Sequence, residues 1–232
     1  MVALLFDSSL IGGGSIIAPN VVVTSANKVE KLDPKELIVR AGEWDLESEA
    51  EPFPHADRYV KQVILHERFS RTARNNDIAL LVLKVPFSSQ PNIAPICLPT
   101  HGEKFDQQRC IVAGWGKKVG VSTDYPHVLK EISLKVLPEA LCNDYLSKIL
   151  EEDFKIDPTS ICAGGEKDVD TCLGDGGAPL ICPIEGSADR YKLAGIVAWG
   201  VSCGMENVPG AYTNVAALTP WISEKLKQLT PA

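Results

Sequence analysis

Asp170-Thr171-Cys172-Leu173-Gly174-Asp175-Gly176-Gly177-Ala178-Pro179 is a glycine-rich loop carrying two carboxylates near a cysteine, and it leads straight into the strand-like run Pro179 to Cys182. Outward from it, short β-branched runs alternate with turn signals. They are Ser15 to Thr24, broken by the turn Ala18-Pro19-Asn20, then Leu37 to Ala41, Val60 to Leu65 and Ile78 to Leu83. Later runs are Cys110 to Gly114, Ile132 to Val136, Leu193 to Trp199 and Gly210 to Val215. Many short strands with frequent turns predict an all-β chain. Two stretches depart towards helix: Pro138 to Ile149, and the carboxyl end, where Thr219 is placed to cap and Pro220 to fill the first turn.

The 232 residues, 45% of them hydrophobic, suffice for one large β domain. A formal net charge of −7 argues against nucleic acid or an anionic membrane as partner, since both would repel the average surface. Seven cysteines, from Cys97 onward and without a CxxC pair, fit a disulfide framework in an oxidising compartment better than a zinc site. The odd count leaves one thiol over. No apolar run approaches a membrane span, and Met1 to Phe6 is shorter than a signal-peptide core. A secreted protein is therefore expected, with its export signal upstream of Met1.

Leu10-Ile11-Gly12-Gly13-Gly14-Ser15-Ile16-Ile17, Asn76-Asp77-Ile78-Ala79-Leu80-Leu81 and Val112-Ala113-Gly114-Trp115-Gly116 resemble the CGGSLI, NDIALL and VxGWG segments of trypsin-like proteins. Arg40 to Asp45, Ile96-Cys97-Leu98-Pro99, Ile161 to Gly165 and Val197-Ala198-Trp199-Gly200 narrow the likeness. Over nearly its full length the chain resembles the arthropod clip-domain serine protease homologues, in particular those similar to prophenoloxidase-activating factors. The resemblance implies a chymotrypsin-like double antiparallel β-barrel with a C-terminal helix. It also implies that residues 1–232 form one trypsin-like domain lacking an upstream segment and any clip domain.

Under this resemblance Gly176 stands where the nucleophilic serine belongs, and Thr24-Ser25-Ala26-Asn27-Lys28 corresponds to the TAAHC motif, with Asn27 at the histidine. Such proteolysis needs a hydroxyl to attack, an imidazole to take its proton and a carboxylate to orient the ring. Glycine has no side chain, and an amide takes no proton near neutral pH. Asp77 matches the orienting aspartate with nothing left to orient, and is expected to be a buried hydrogen-bond acceptor. The amides of Gly174 and Gly176 match an oxyanion hole. Asp170, Gly200 and Gly210 match the base and walls of a pocket for Arg or Lys side chains. That pocket either still docks a basic residue without cutting it or is an inherited cavity, collapsed or filled by its own loops.

The resemblance pairs Cys110 with Cys182, Cys142 with Cys162 and Cys172 with Cys203. It leaves Cys97 to tether an amino-terminal segment or clip domain. Lys28 and Gly12 replace a fourth pair, lost together. Asp175 matches the aspartate that receives a freed amino terminus in active members. It is expected either to turn outward or to be partnered by an absent segment, since a buried unpaired carboxylate costs several kcal/mol. The acidic stretch Glu43 to Glu51 reads as an exposed loop in which Glu43, Asp45 and Glu51 are candidate calcium ligands. No cofactor is otherwise required. His55, His66, His101 and His127 read as structural or exposed.

The functional expectation is a pseudoprotease: a secreted, non-catalytic binding partner or cofactor in an extracellular cascade of innate immunity. Prophenoloxidase activation in haemolymph is the implied setting, with an activating protease, prophenoloxidase or both as partners. The alternatives are an adhesion or structural protein on a protease scaffold, and a residual trypsin-like peptidase.

Overall fold

The computed structural model describes residues 1–117, 125–150, 152–187 and 189–229. Two closed six-stranded antiparallel barrels follow one another along the chain. The first comprises β1 (Val2–Phe6), β2 (Ser9–Ala18), β3 (Val21–Thr24), β4 (Leu37–Ala41), β5 (Ala56–Leu65) and β6 (Ala79–Leu83), in the order β1-β2-β3-β6-β5-β4. A single helical turn, α1 (Ala26–Val29), follows β3. The second comprises β7 (Arg109–Gly114), β8 (Lys130–Leu137), β9 (Ser160–Gly164), β10 (Pro179–Pro183), β11 (Tyr191–Trp199) and β12 (Pro209–Asn214), in the order β10-β11-β12-β9-β8-β7. Helix α2 (Glu139–Ser147) lies between β8 and β9, and α3 (Val215–Leu229) closes the chain.

Closure removes the sheet edges, so each barrel buries its alternate side chains on one internal core. Val2, Leu4, Val22, Val39 and Leu81 fill the first, and Val112, Leu134, Leu180 and Tyr212 the second. A third cluster joins Val21, Val23, Ile78 and Leu80 of the first half to Leu193 and Ile196 of the second, under Val215, Leu218 and Ile222 of α3. The terminal helix therefore seals the seam between the barrels. The catalytic-type residues of this fold sit along that same seam.

Two local expectations are corrected. Strand β2 begins at Ser9 rather than Ser15, because its glycines are places of close approach rather than a loop. A Cβ on Gly14 would lie 2.9 Å from Val22, and one on Gly13 3.0 Å from Ala178. Helix α3 begins at Val215, so Thr219 is not its cap and Pro220 stands inside it. The Thr219 hydroxyl donates back to the Val215 carbonyl at 2.9 Å. Proline lacks the amide that would reach the carbonyl four residues earlier. That carbonyl, on Ala216, instead accepts the Gly102 amide at 3.2 Å and lies 3.2 Å from His101 Nδ1, so the long loop before β7 supplies what the helix lacks.

The acidic stretch is not uniformly exposed. Glu43 is buried, its carboxylate meeting His55 Nδ1 at 3.1 Å and the Arg40 guanidinium at 3.4 Å. Asp45 pairs with His127 Nδ1 at 2.6 Å, and Glu51 accepts the Asp45 amide at 3.1 Å. The Glu43 and Glu51 carboxylates meet each other in a side-chain hydrogen bond, while Asp45 is turned to His127. Among the described residues no three His, Cys, Asp or Glu side chains gather as a metal would require, which corrects the calcium expectation for Glu43, Asp45 and Glu51. Among the described residues no helix is long and apolar enough to cross a membrane.

Candidate functional site

Strand β3 ends in Thr24, whose buried hydroxyl donates to the Gly13 carbonyl at 2.8 Å and pins the start of α1 against β2. The turn of α1 then points Asn27 across the seam. Its backbone amide donates to Asp77 Oδ1 at 2.8 Å, and its side-chain Nδ2 donates to Asp77 Oδ2 and to the Ala198 carbonyl, the latter at 3.2 Å. Both protons of the carboxamide are thereby engaged. Asp77 is buried and its backbone carbonyl accepts Thr213 Oγ1 at 2.6 Å. Burial pushes its carboxyl above the ordinary aspartate range, and the Asn27 donors oppose that rise. Asp77 is thus a hydrogen-bond acceptor that ties the two barrels together.

Lys28 follows Asn27 and lies along the floor of the same cleft. A Cβ added to Gly176 would fall 2.1 Å from Lys28 Cε and 3.0 Å from its Nζ, and the Lys28 Cδ runs 3.5 Å from where a Cβ on Gly12 would be. The lysine stem therefore occupies the volume that a side chain at position 176 would need. A Cβ on Gly12 would in turn strike the Gly176 carbonyl at 2.3 Å. Gly12, Lys28 and Gly176 are one steric unit, in which each glycine leaves room that the other groups use. Burial lowers the Lys28 pKa, with the charges of Asp175 and Asp77 opposing this and that of Arg71 adding to it.

The loop from Asp170 to Ala178 is held from both sides. The Gly176 carbonyl accepts the Gly13 amide at 3.0 Å, and the Gly177 amide donates to Val197 at 2.8 Å. Gly174 has φ +103°, a left-handed conformation suited to glycine, and a Cβ there would lie 2.7 Å from the Tyr125 ring. Asp175 does not turn outward. It is buried, with Oδ1 accepting the Gly116 amide at 2.8 Å and Oδ2 the Cys172 amide at 3.0 Å. Two peptide donors, one on each oxygen, thus hold it in place. Room for the carboxylate exists because residues 114 and 116 are glycines: a Cβ at either would fall 2.1–2.2 Å from its atoms. Burial nonetheless raises its pKa.

Asp170, Gly200 and Gly210 surround one cavity of about 400 Å³ that also reaches Asn27, Lys28, Gly174 and Gly176. Asp170 Oδ1 accepts the Thr171 amide at 2.8 Å and Oδ2 the Gly204 amide at 3.1 Å. Burial pushes its pKa up to about 6, and the charge of Asp175 adds to the rise. Tyr212, fully buried, bonds the Thr171 hydroxyl at 3.0 Å. The described residues around this cavity include no histidine.

The disulfides are Cys110–Cys182, Cys142–Cys162 and Cys172–Cys203, all in the second barrel and its loops. The last ties the Asp170 loop to the opposite wall of the pocket. Cys97 is free and partly exposed, with the Arg190 guanidinium 3.8 Å from its sulfur.

A family model described as trypsin matches residues 1–222. The chain belongs to the trypsin family. It is 42% identical over 219 residues to phenoloxidase-activating factor 2 of Galleria mellonella, covering 93% of this chain and 72% of that protein. It is 39% identical to the inactive CLIP domain-containing serine protease A8 of Anopheles gambiae and 42% identical to its A28 counterpart. Those two alignments cover 94% and 92% of this chain but only 59% and 55% of the mosquito proteins. The family and the fold expected from the motifs are thus both found, and the relatives are clip-domain serine protease homologues.

Sequence reasoning read Lys28 as a lost cysteine without foreseeing where its side chain goes. The signal lay in the joint change at positions 12, 28 and 176, two residues losing their side chains while a third gains length. Tyr212 carried no local signal, since one tyrosine in a strand reads as core.

Proposed function

We propose that this chain is a non-catalytic serine protease homologue that acts as a binding partner or cofactor in an extracellular protease cascade, of the kind that activates prophenoloxidase. The observation that carries this reading is the Lys28 stem filling the space where residue 176 would need an attacking oxygen. Neither an oxygen nucleophile at 176 nor an imidazole at 27 is available, and Asp77 is committed to Asn27. Without nucleophile and base, whatever binds in the cleft stays whole. The names of the relatives, one an activating factor and others inactive, support the same reading.

In this role the protein binds an activating protease, its substrate or both, and holds them in an orientation that makes another enzyme's cut productive. The protein is secreted into haemolymph, with Cys97 tethering an amino-terminal segment or clip domain, and the amides of Gly174 and Gly176 serve binding. A reconstituted mixture of activating protease and prophenoloxidase tests it. Added protein should raise product activity in a saturable way, and no change at any concentration would overturn the cofactor role.

A further inference from the structure

The cleft keeps one acidic end and has gained one basic end. At its base the Asp170 carboxylate accepts two peptide amides, and a carboxylate offers about four lone-pair directions, so it retains capacity for an incoming cation. At the other end the Lys28 ammonium lies beside Gly176 with no ion-pair or hydrogen-bond partner among the described residues. The amides of Gly174 and Gly176 likewise have no acceptor among the described residues. Three donors, one ammonium and two peptide amides, thus belong to residues that line one cavity and have no acceptor among the described residues, a strong arrangement for an anion because charge-assisted bonds are roughly twice as strong as neutral ones. The cavity, about 400 Å³, falls within the range of sites that enclose small ligands.

We propose that this cleft binds the newly exposed carboxyl terminus of a polypeptide ending in Arg or Lys, with the basic side chain on Asp170 and the terminal carboxylate on Lys28 and the Gly174 and Gly176 amides. An uncut chain presents a neutral peptide carbonyl at the Lys28 end and so forms no direct ion pair with the ammonium, which otherwise feels only the opposite charges of Asp175 and Asp77 without touching either. Free arginine brings an α-ammonium close to Lys28 and is repelled. The preferred ligand is therefore the released end that hydrolysis after a basic residue creates. A protease-shaped cleft would then recognise the product of a protease instead of its substrate. This does not require the cascade role: peptide binding can fail while a cofactor effect persists elsewhere on the surface, and the reverse.

The test uses a synthetic tetrapeptide ending in Arg, prepared with a free carboxylate and as the terminal amide, titrated calorimetrically against the protein and its Lys28→Met variant. Met keeps the apolar stem that fills the space beside Gly176. The wild type should bind the acid about 10- to 100-fold more tightly than the amide, the usual cost of removing one partner of a charged hydrogen bond. Lys28→Met should lose that preference while binding the amide as the wild type does, which also reports an intact fold. Asp170→Asn should weaken both peptides alike, and free arginine should bind more weakly than the acid peptide. Equal binding of acid and amide by the wild type, no binding of either, or a preference that survives Lys28→Met would overturn the proposal.

Discussion

The two barrels share one topology and are held together by different means. The second has all three disulfides, one spanning 72 residues between Cys110 and Cys182 and one fastening the Asp170 loop. The first has none, and its Gly12 and Lys28 pack against Gly176 in the cleft. The first barrel contributes Asn27 and Lys28, an amide and an ammonium. The second contributes Asp170, Gly174, Gly200 and Gly210, a pocket that remains open and stapled. One cross-link, Cys172–Cys203, borders the cavity, while the other two lie within the buried clusters of the second half.

The largest effect should come from the staples. In the chain-entropy view, opening Cys110–Cys182 by Cys110→Ala with Cys182→Ala frees a long loop and costs about 4 kcal/mol. Amide exchange resolved by residue should show protection falling in the second barrel and little change in the first. An equal fall in both would mean that the seam cluster under α3 makes them one cooperative unit. Next, Leu4→Ala in the first core should cost about 3 kcal/mol in denaturant titration, since Leu4 is fully buried among Val2, Val39 and their neighbours. A cost well below this would show the unstapled barrel to be plastic.

Smaller is the penalty for Gly176→Ser, about 2 kcal/mol, because the new side chain meets the Lys28 stem. Lys28→Ala should remove most of that penalty, so the double mutant should be destabilised well below the sum of the two single changes. If the two changes add independently, the steric unit does not exist.

The smallest effect concerns pH. Asp170 has a folded-state pKa raised to about 6, above its unfolded value, so its stabilising contribution is full below about pH 4 and is lost as pH rises through 6. Facing it are the Thr171 and Gly204 amides, the charge of Asp175 and, through Thr171, the Tyr212 hydroxyl. Between pH 4 and 7 the wild type should lose about 1 kcal/mol relative to Asp170→Asn, after allowance for solvent in the cleft. The constant offset from the amide that Asn leaves unmatched drops out of this comparison. A pH-independent difference between the two proteins would sharpen the account by removing Asp170 as a strained acid.

Much of this molecule was legible in its residues. Short β-branched runs such as Leu37 to Ala41 and Ile78 to Leu83 placed strands close to where they lie: the first alternates with one face on a barrel core, and the second is buried on both faces, between the barrel core and the cluster under α3. Asn27 and Gly176 stood out in their motifs, and both line the same cavity. What escaped depended on partners distant in sequence. Asp175 is satisfied by a peptide amide 59 residues away, and the Ala216 carbonyl freed by Pro220 by the amide of Gly102. The course of the Lys28 stem depends on an absence of atoms at Gly12 and Gly176, which no local pattern reports. Glu43 looked like surface because acidic runs usually are, and its burial required Arg40 and His55 to arrive from two neighbouring segments.

The central claim is that a protease cleft here binds without cutting. Incubating the purified protein with fluorogenic peptides bearing Arg or Lys before the scissile bond measures this directly. The account predicts release of fluorophore no faster than in buffer, at every pH from 5 to 9. Saturable turnover that survives stringent purification and is abolished by Asp170→Asn would contradict it.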